Sequence, residues 1–177
     1  MSRVFSRVPI AAPADMRGTH PYVWRDDLVM PSFYEAAGVS ATSLQLPEVL
    51  TALQTNRVDS FVTTPVAAVS LQWSTRATHM TNVNVAVVVG ATVFGKTQIN
   101  SLPADQQAVL RETATQFHQL LITNLRRDEE SAARSMAGRG INLFFVTDGQ
   151  RPQWNALPAQ PRRRAADSAR VRRPRCR

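Results

Sequence analysis

The chain has a single cysteine, Cys176, among its 177 residues, so no intrachain disulfide can hold it together. Its three histidines, His20, His79 and His118, lie far apart in the sequence. Zinc sites draw their ligands from closely spaced His and Cys pairs, so neither a metal site nor a cofactor is expected. The 7 glycines are isolated apart from Gly138-Arg139-Gly140, which reads as a helix terminus and not as a phosphate-cradling loop after a strand. No apolar run approaches the ~18 residues needed to span a bilayer. The opening stretch MSRVFSRVPIAAPAD carries arginines but no sustained apolar core, so it does not read as a secretory signal. Serines, aspartates and histidines occur without a nucleophile elbow or a triad element, so no catalytic residues are assigned and an enzyme is not expected.

What is present is ordinary globular material, 44% hydrophobic, long enough for one domain with a real core. The net charge of +8 is misleading as a description of the fold. Residues 161–177 hold eight arginines against one aspartate, while residues 1–160 hold 13 basic and 12 acidic groups. A basic-tailed protein binding nucleic acid or an anionic surface is therefore the alternative reading, motivated by that tail alone. The tail lacks interleaved aromatics, and no specific nucleic-acid partner is expected. Three regions follow: an N-terminal arm over 1–15, an α/β region over 16–150, and a Pro/Arg-rich tail over 151–177 expected to be disordered.

Inside the middle region β and α signals alternate. Ala14 to Gly18 suits a short turn, and His20 to Arg25 favours a strand with Tyr22 and Trp24 on the same side. Pro31 to Ala37 reads as a helix stopped by Gly38, and Val39 to Leu44 as a second strand. Pro65 to Trp73 spaces Val66, Val69 and Trp73 on one helical face. Thr78 to Thr81 and the uniformly apolar Val83 to Phe94 read as strands, the second covered on both faces at the sheet centre. Pro103 opens a long helix to about Ala137, with a stripe of Leu110, Ala114, Phe117, Leu121 and Leu125. Ile141 to Val146 reads as a last strand, and no periodicity follows it.

The segment Leu46 to Pro65, LPEVLTALQTNRVDSFVTTP, is the most informative. Pro47 fits a first helical turn, Val49, Leu50 and Leu53 make a core face, and Asn56 tolerates the left-handed helix end. Val58 to Val62 is then a short strand that presents Thr63 and Thr64 at its end. Threonines there are ordinarily strand or helix-cap residues, and Tyr22 and Trp24 are ordinarily core. Aromatics near a strand end also make cleft walls, which leaves both readings open.

From Met16 to about Val146 the chain resembles the later part of the DctP-type solute-binding proteins of tripartite ATP-independent periplasmic (TRAP) transporters. MRGTHPYVW is similar to the family's D-L-K-G-x-K-x-R-V strand, and LPEVLTALQTNRVDSFVTTPVAAV to its E-V-Y-x-A-L-Q-x-G-x-V-D-G helix–strand signature. RATHMTNVNVAVVVGATVFGKTQINSLPADQQAVLRETA resembles its strand pair followed by L-P-x-D-x-Q and a long helix. The resemblance implies a periplasmic-binding-protein-like lobe, a mixed β-sheet flanked by helices with one long C-terminal helix, truncated relative to the two-lobe fold. It implies a periplasmic receptor that closes over a small organic solute, a carboxylate in many relatives, and hands it to TRAP permease subunits for ion-gradient-driven import. Tyr22, Trp24, Leu46, Thr63 and Thr64 fall on the positions that would face that solute. Tyr22 stands where relatives carry an arginine, so the bidentate carboxylate contact of the guanidinium is missing at that position.

Overall fold

The computed structural model describes residues 1–157. Its first strand is β1, Ser2–Ser6, inside the stretch expected to be an arm. A 3-10 turn at Pro13–Gly18 leads to β2, Tyr22–Trp24, then α1, Met30–Ala37, and β3, Thr42–Leu44. After a 3-10 turn at Leu46–Glu48 come α2, Val49–Gln54, β4, Ser60–Thr63, and α3, Pro65–Ser70. A further 3-10 turn, Trp73–Arg76, precedes β5, His79–Ala86. The chain continues through α4, Lys96–Asn100, α5, Ala104–Ala137, β6, Asn142–Phe144, and α6, Arg151–Ala156.

Four strands form one sheet in the order β4-β1-β5-β6, and β2 and β3 pair separately in parallel. β1 runs antiparallel to both of its neighbours, with Phe5 opposite Phe61 on one side and Met80 on the other. An isolated parallel bridge between Pro21 and Ser60 sets β2 beside β4. The two pairings thus lie edge to edge as β3-β2-β4-β1-β5-β6, with β1 alone reversed. Asp59 reinforces that junction, accepting the His20 backbone N–H at 2.7 Å while its own N–H donates to the His20 carbonyl at 3.1 Å.

Helices cover both faces, as the alternation along β1 demands. Phe5 points into a core with Leu53, Phe61, Trp73 and Met136, while Val4 points into the opposite core with Ile10, Phe33, Tyr34 and Trp154. Residues 1–15 are therefore no arm. A five-residue strand with an arginine inside it carries too weak an apolar signal to announce a central position, yet Val4 and Phe5 are fully buried. Residues 151–157 also depart from expectation, because α6 buries Trp154, whose indole Nε1 donates to the Ala11 carbonyl at 2.9 Å. The remainder of the expected tail, residues 158–177, lies outside the described residues.

Two apolar stretches are placed differently from their pattern. β5 ends at Ala86, opposite Ser2, so the partner strand has run out, and Val87, Val88, Val89, Val93 and Phe94 are exposed. The apolar stripe of α5 is exposed at Phe117, Leu121 and Leu125, and the helix buries only Ala133 and Met136 near its end. Local signals elsewhere act as expected. Gly38 closes α1 at φ 73, and a Cβ there would lie 2.9 Å from Arg17 Nε, whose donation to the Ala37 carbonyl ties the turn to the chain before β2. Gly38→Ala is expected to lower stability by about 1–2 kcal/mol, read as a shifted urea midpoint at unchanged slope.

Candidate functional site

Strands β2, β3, β4 and β5 point the same way, so their C-terminal ends share one edge of the layer. Open α/β sheets bind ligands at such an edge because loops diverge there and leave a crevice. A cleft of about 340 Å³ occupies this place. Tyr22 and Trp24 from β2, Leu46 from the turn after β3, and Thr63 from the end of β4 all line it. Four of the five residues singled out in the sequence thus share one cavity. The fifth, Thr64, serves the backbone instead: its hydroxyl accepts the Ala67 N–H at 3.2 Å and caps α3. Thr64→Ala is expected to cost about 1 kcal/mol in thermal unfolding without altering Trp24 emission.

The walls are held from behind. Tyr22 sits edge-on to Trp73 at 5.4 Å between ring centroids, and Trp73 is edge-on to Phe61 at 5.5 Å. The fully buried Tyr34 donates its hydroxyl to the Tyr22 carbonyl at 3.0 Å, fixing the β2 backbone at the cleft. Trp24 is half-exposed, and its indole Nε1 donates to Gln45 Oε1 at 3.2 Å, which pins the ring plane beside Leu46. Burial, with a smaller push from the Asp27 carboxylate, raises the Tyr22 phenol to about 12, so it stands protonated as a donor.

Sequence reading missed Asp27, Met30, Tyr34, Trp73 and Val88, which also line the cleft. Trp73 looked like the end of a helical face, but Gln72 adopts a left-handed turn at φ 61 and swings the indole under Tyr22. Asp27 and Met30 sit where β2 passes into α1, and a short loop after a strand at this edge was the available signal. Among the described residues no group of His, Cys, Asp and Glu is arranged to hold a metal ion. No described helix is long and apolar enough to cross a membrane. A larger groove, about 600 Å³, runs between residues 94–100 and α5, and it contains none of the five expected residues.

A mixed sheet covered by helices on both faces, with a cleft at the ends of its parallel strands, is a single α/β lobe of the periplasmic-binding-protein type. The chain belongs to the bacterial extracellular solute-binding protein family 7, DctP, which it matches over residues 1–164. That family comprises solute-binding proteins and is not a class of enzymes. Among solved structures, the chain is similar to a TRAP periplasmic solute-binding protein of Shewanella oneidensis with bound succinate, at TM-score 0.80 and 19% identity, covering 94% of this chain and 55% of that one. It is similar to one from Desulfovibrio salexigens with bound orotic acid, at TM-score 0.79 and 18% identity over 93% of this chain and 53% of that one. A Bordetella pertussis extracytoplasmic solute receptor, DctP7, binding pyroglutamic acid, gives TM-score 0.78 and 18% identity, over 94% and 55% of the respective chains. The chain spans about 55% of the length of the first and last of these. No curated protein matches it.

Proposed function

We propose that the chain is the solute-binding component of a TRAP-type importer, acting in the periplasm and delivering a small organic acid to membrane permease subunits that use an ion gradient. The observation that carries this reading is the convergence of Tyr22, Trp24, Leu46 and Thr63 on one cleft at the strand ends of a family 7 lobe. The relatives' bound succinate, orotic acid and pyroglutamic acid support an organic acid as the solute class. In this reading the Tyr22 and Thr63 hydroxyls donate to the solute, Leu46 and Trp24 supply apolar wall, and no bond of the solute is made or broken. Loading shifts a pre-existing equilibrium between open and closed receptor by the solute's preference for the closed form.

The test is titration of intrinsic tryptophan emission with succinate, L-malate, orotate, pyroglutamate and other small organic acids. At least one acid is expected to give a saturable shift that Trp24→Ala weakens by about tenfold or more, since a ring that leaves the wall removes roughly 1.4 kcal/mol or more of contact. A flat response to every acid at millimolar concentration would sink the reading for this chain.

A further inference from the structure

A carboxylate drawn out of water into the cleft calls for a charged partner, and the cleft wall holds none of the right sign. None of the residues lining it is Lys, Arg or His, and the Tyr22 phenol donates one hydrogen bond without compensating a charge. Arg25, just past β2, is paired with Glu48 at 3.4 Å, and Arg7 donates to the Arg76 and Leu53 carbonyls and to Asn56. Arg3 differs. It stands on β1 directly across from Thr63, the residue that ends β4 at the cleft. Two places along the same register Phe5 meets Phe61 in the core that also holds Tyr22 and Trp73, so by alternation Arg3 and Thr63 project from that same face. Side chains opposite each other on antiparallel strands stand about 4.5–5.5 Å apart at Cβ, so the long arm of an arginine reaches past a threonine to whatever the threonine touches. Arg3 Nε is buried without a hydrogen-bond partner, and among the described residues the guanidinium forms no ion pair. Glu129 on α5 is near enough for its charge to oppose the burial that disfavours the Arg3 cation, yet no ion pair joins the two, and Glu129 Oε2 is itself buried without a partner. An open guanidinium donor in a buried place is costly until an acceptor arrives, and a carboxylate matches its planar fork.

Resting on the receptor reading, we infer that Arg3 receives the solute's carboxylate at the Thr63 end of the cleft, so that β1 supplies the positive charge that Tyr22 on β2 does not. The acid end of the solute then lies against Thr63 and Arg3, and the rest of it against Trp24 and Leu46. The test measures three acids and their uncharged amides on the full chain by calorimetry: succinate and succinamide, pyroglutamate and pyroglutamamide, orotate and orotamide. At least one acid is expected to bind about tenfold or more tightly than its amide, and Arg3→Gln to bring that acid down to the level of the amide while leaving the amide unchanged. A purely structural role for Arg3 would instead weaken acid and amide alike. A second measurement needs no variant: the Arg3 Nε–H signal of the parent chain, assigned through its own backbone resonances in nitrogen-15 spectra, is expected to move on saturation with the acid and to stay in place with the amide. Acid preference unchanged in Arg3→Gln, equal losses for acid and amide, or an Arg3 signal unmoved by the bound acid overturns the inference and leaves the receptor reading standing. Silence with all six probes overturns it as well, while the receptor reading is decided separately by the wider panel of acids.

Discussion

Phe5→Ala is expected to lower the free energy of unfolding by about 3–5 kcal/mol, a large part of the ~5–15 kcal/mol that stabilises an ordinary domain. Phe5 is fully buried on the central strand, its ring stacked on Phe61 at 5.1 Å between centroids and 11° between planes. Phe61 in turn meets Trp73, which backs Tyr22 at the cleft. Removing the Phe5 ring opens a cavity beneath the whole aromatic stack, and the flanking strands are too short to collapse into it. Urea denaturation followed by far-ultraviolet circular dichroism reads the loss. Val8→Ala, at a half-exposed position just past the strand, is the control and is expected to shift the midpoint little. Equal, small effects of the two substitutions would restore the reading of residues 1–15 as an arm.

The second large effect is loss of the fold in alkali. Burial raises both the Tyr22 phenol, to about 12, and the Tyr34 phenol, still further, with Asp27 adding to each. In the unfolded chain both titrate near 10. Below that value both states hold the protons and stability is level. Above it the unfolded chain releases protons that the folded chain retains, so the free energy of unfolding falls as pH rises. The Tyr22 contribution levels off once pH passes about 12, whereas that of Tyr34 continues beyond. Urea midpoints are therefore expected to be flat to about pH 10 and to fall steadily thereafter. Tyr34→Phe removes about half of that slope up to about pH 12, where each phenol withholds one proton, and what remains beyond it, at a cost near neutrality of about 1 kcal/mol for the lost hydrogen bond to the Tyr22 carbonyl. A slope identical in Tyr34→Phe and the parent would refute this assignment.

Much of the middle region was legible because its boundaries are written in local chemistry. Gly38 at a left-handed position, Asn56 at φ 60 and Pro65 at the first turn of α3 each punctuate the chain where their backbone preferences dictate. Tyr22, Trp24, Leu46 and Thr63 were legible as one site only through the family's order of motifs. Nothing in their spacing brings residues 22 and 63 together, which is the work of the Pro21–Ser60 bridge and the Asp59–His20 pair. Asp27 escaped notice because an aspartate before a helix reads as a cap, and it is one. The failures share a cause. β1 was missed and the stretch 87–94 was over-read because a strand's place depends on which partners remain beside it, not on its own hydrophobicity. The α5 stripe is amphipathic by pattern, yet a helix buries its apolar face only where another surface reaches it, and here that happens at Ala133 and Met136.

The central position of β1 also sets the order in which the molecule can be assembled. Its partners arrive late: β4 begins at Ser60 and β5 at His79, and the Trp154 bond to Ala11 joins residues 143 apart in sequence. A polypeptide emerging amino end first would hold the strand at the middle of its sheet unpaired until β4 and β5 had followed it, and only the arrival of α6 would close the second core. Such non-local pairing is the slow class of folding reaction. The interval during which Val4 and Phe5 lie uncovered would leave a chaperone its opportunity to bind.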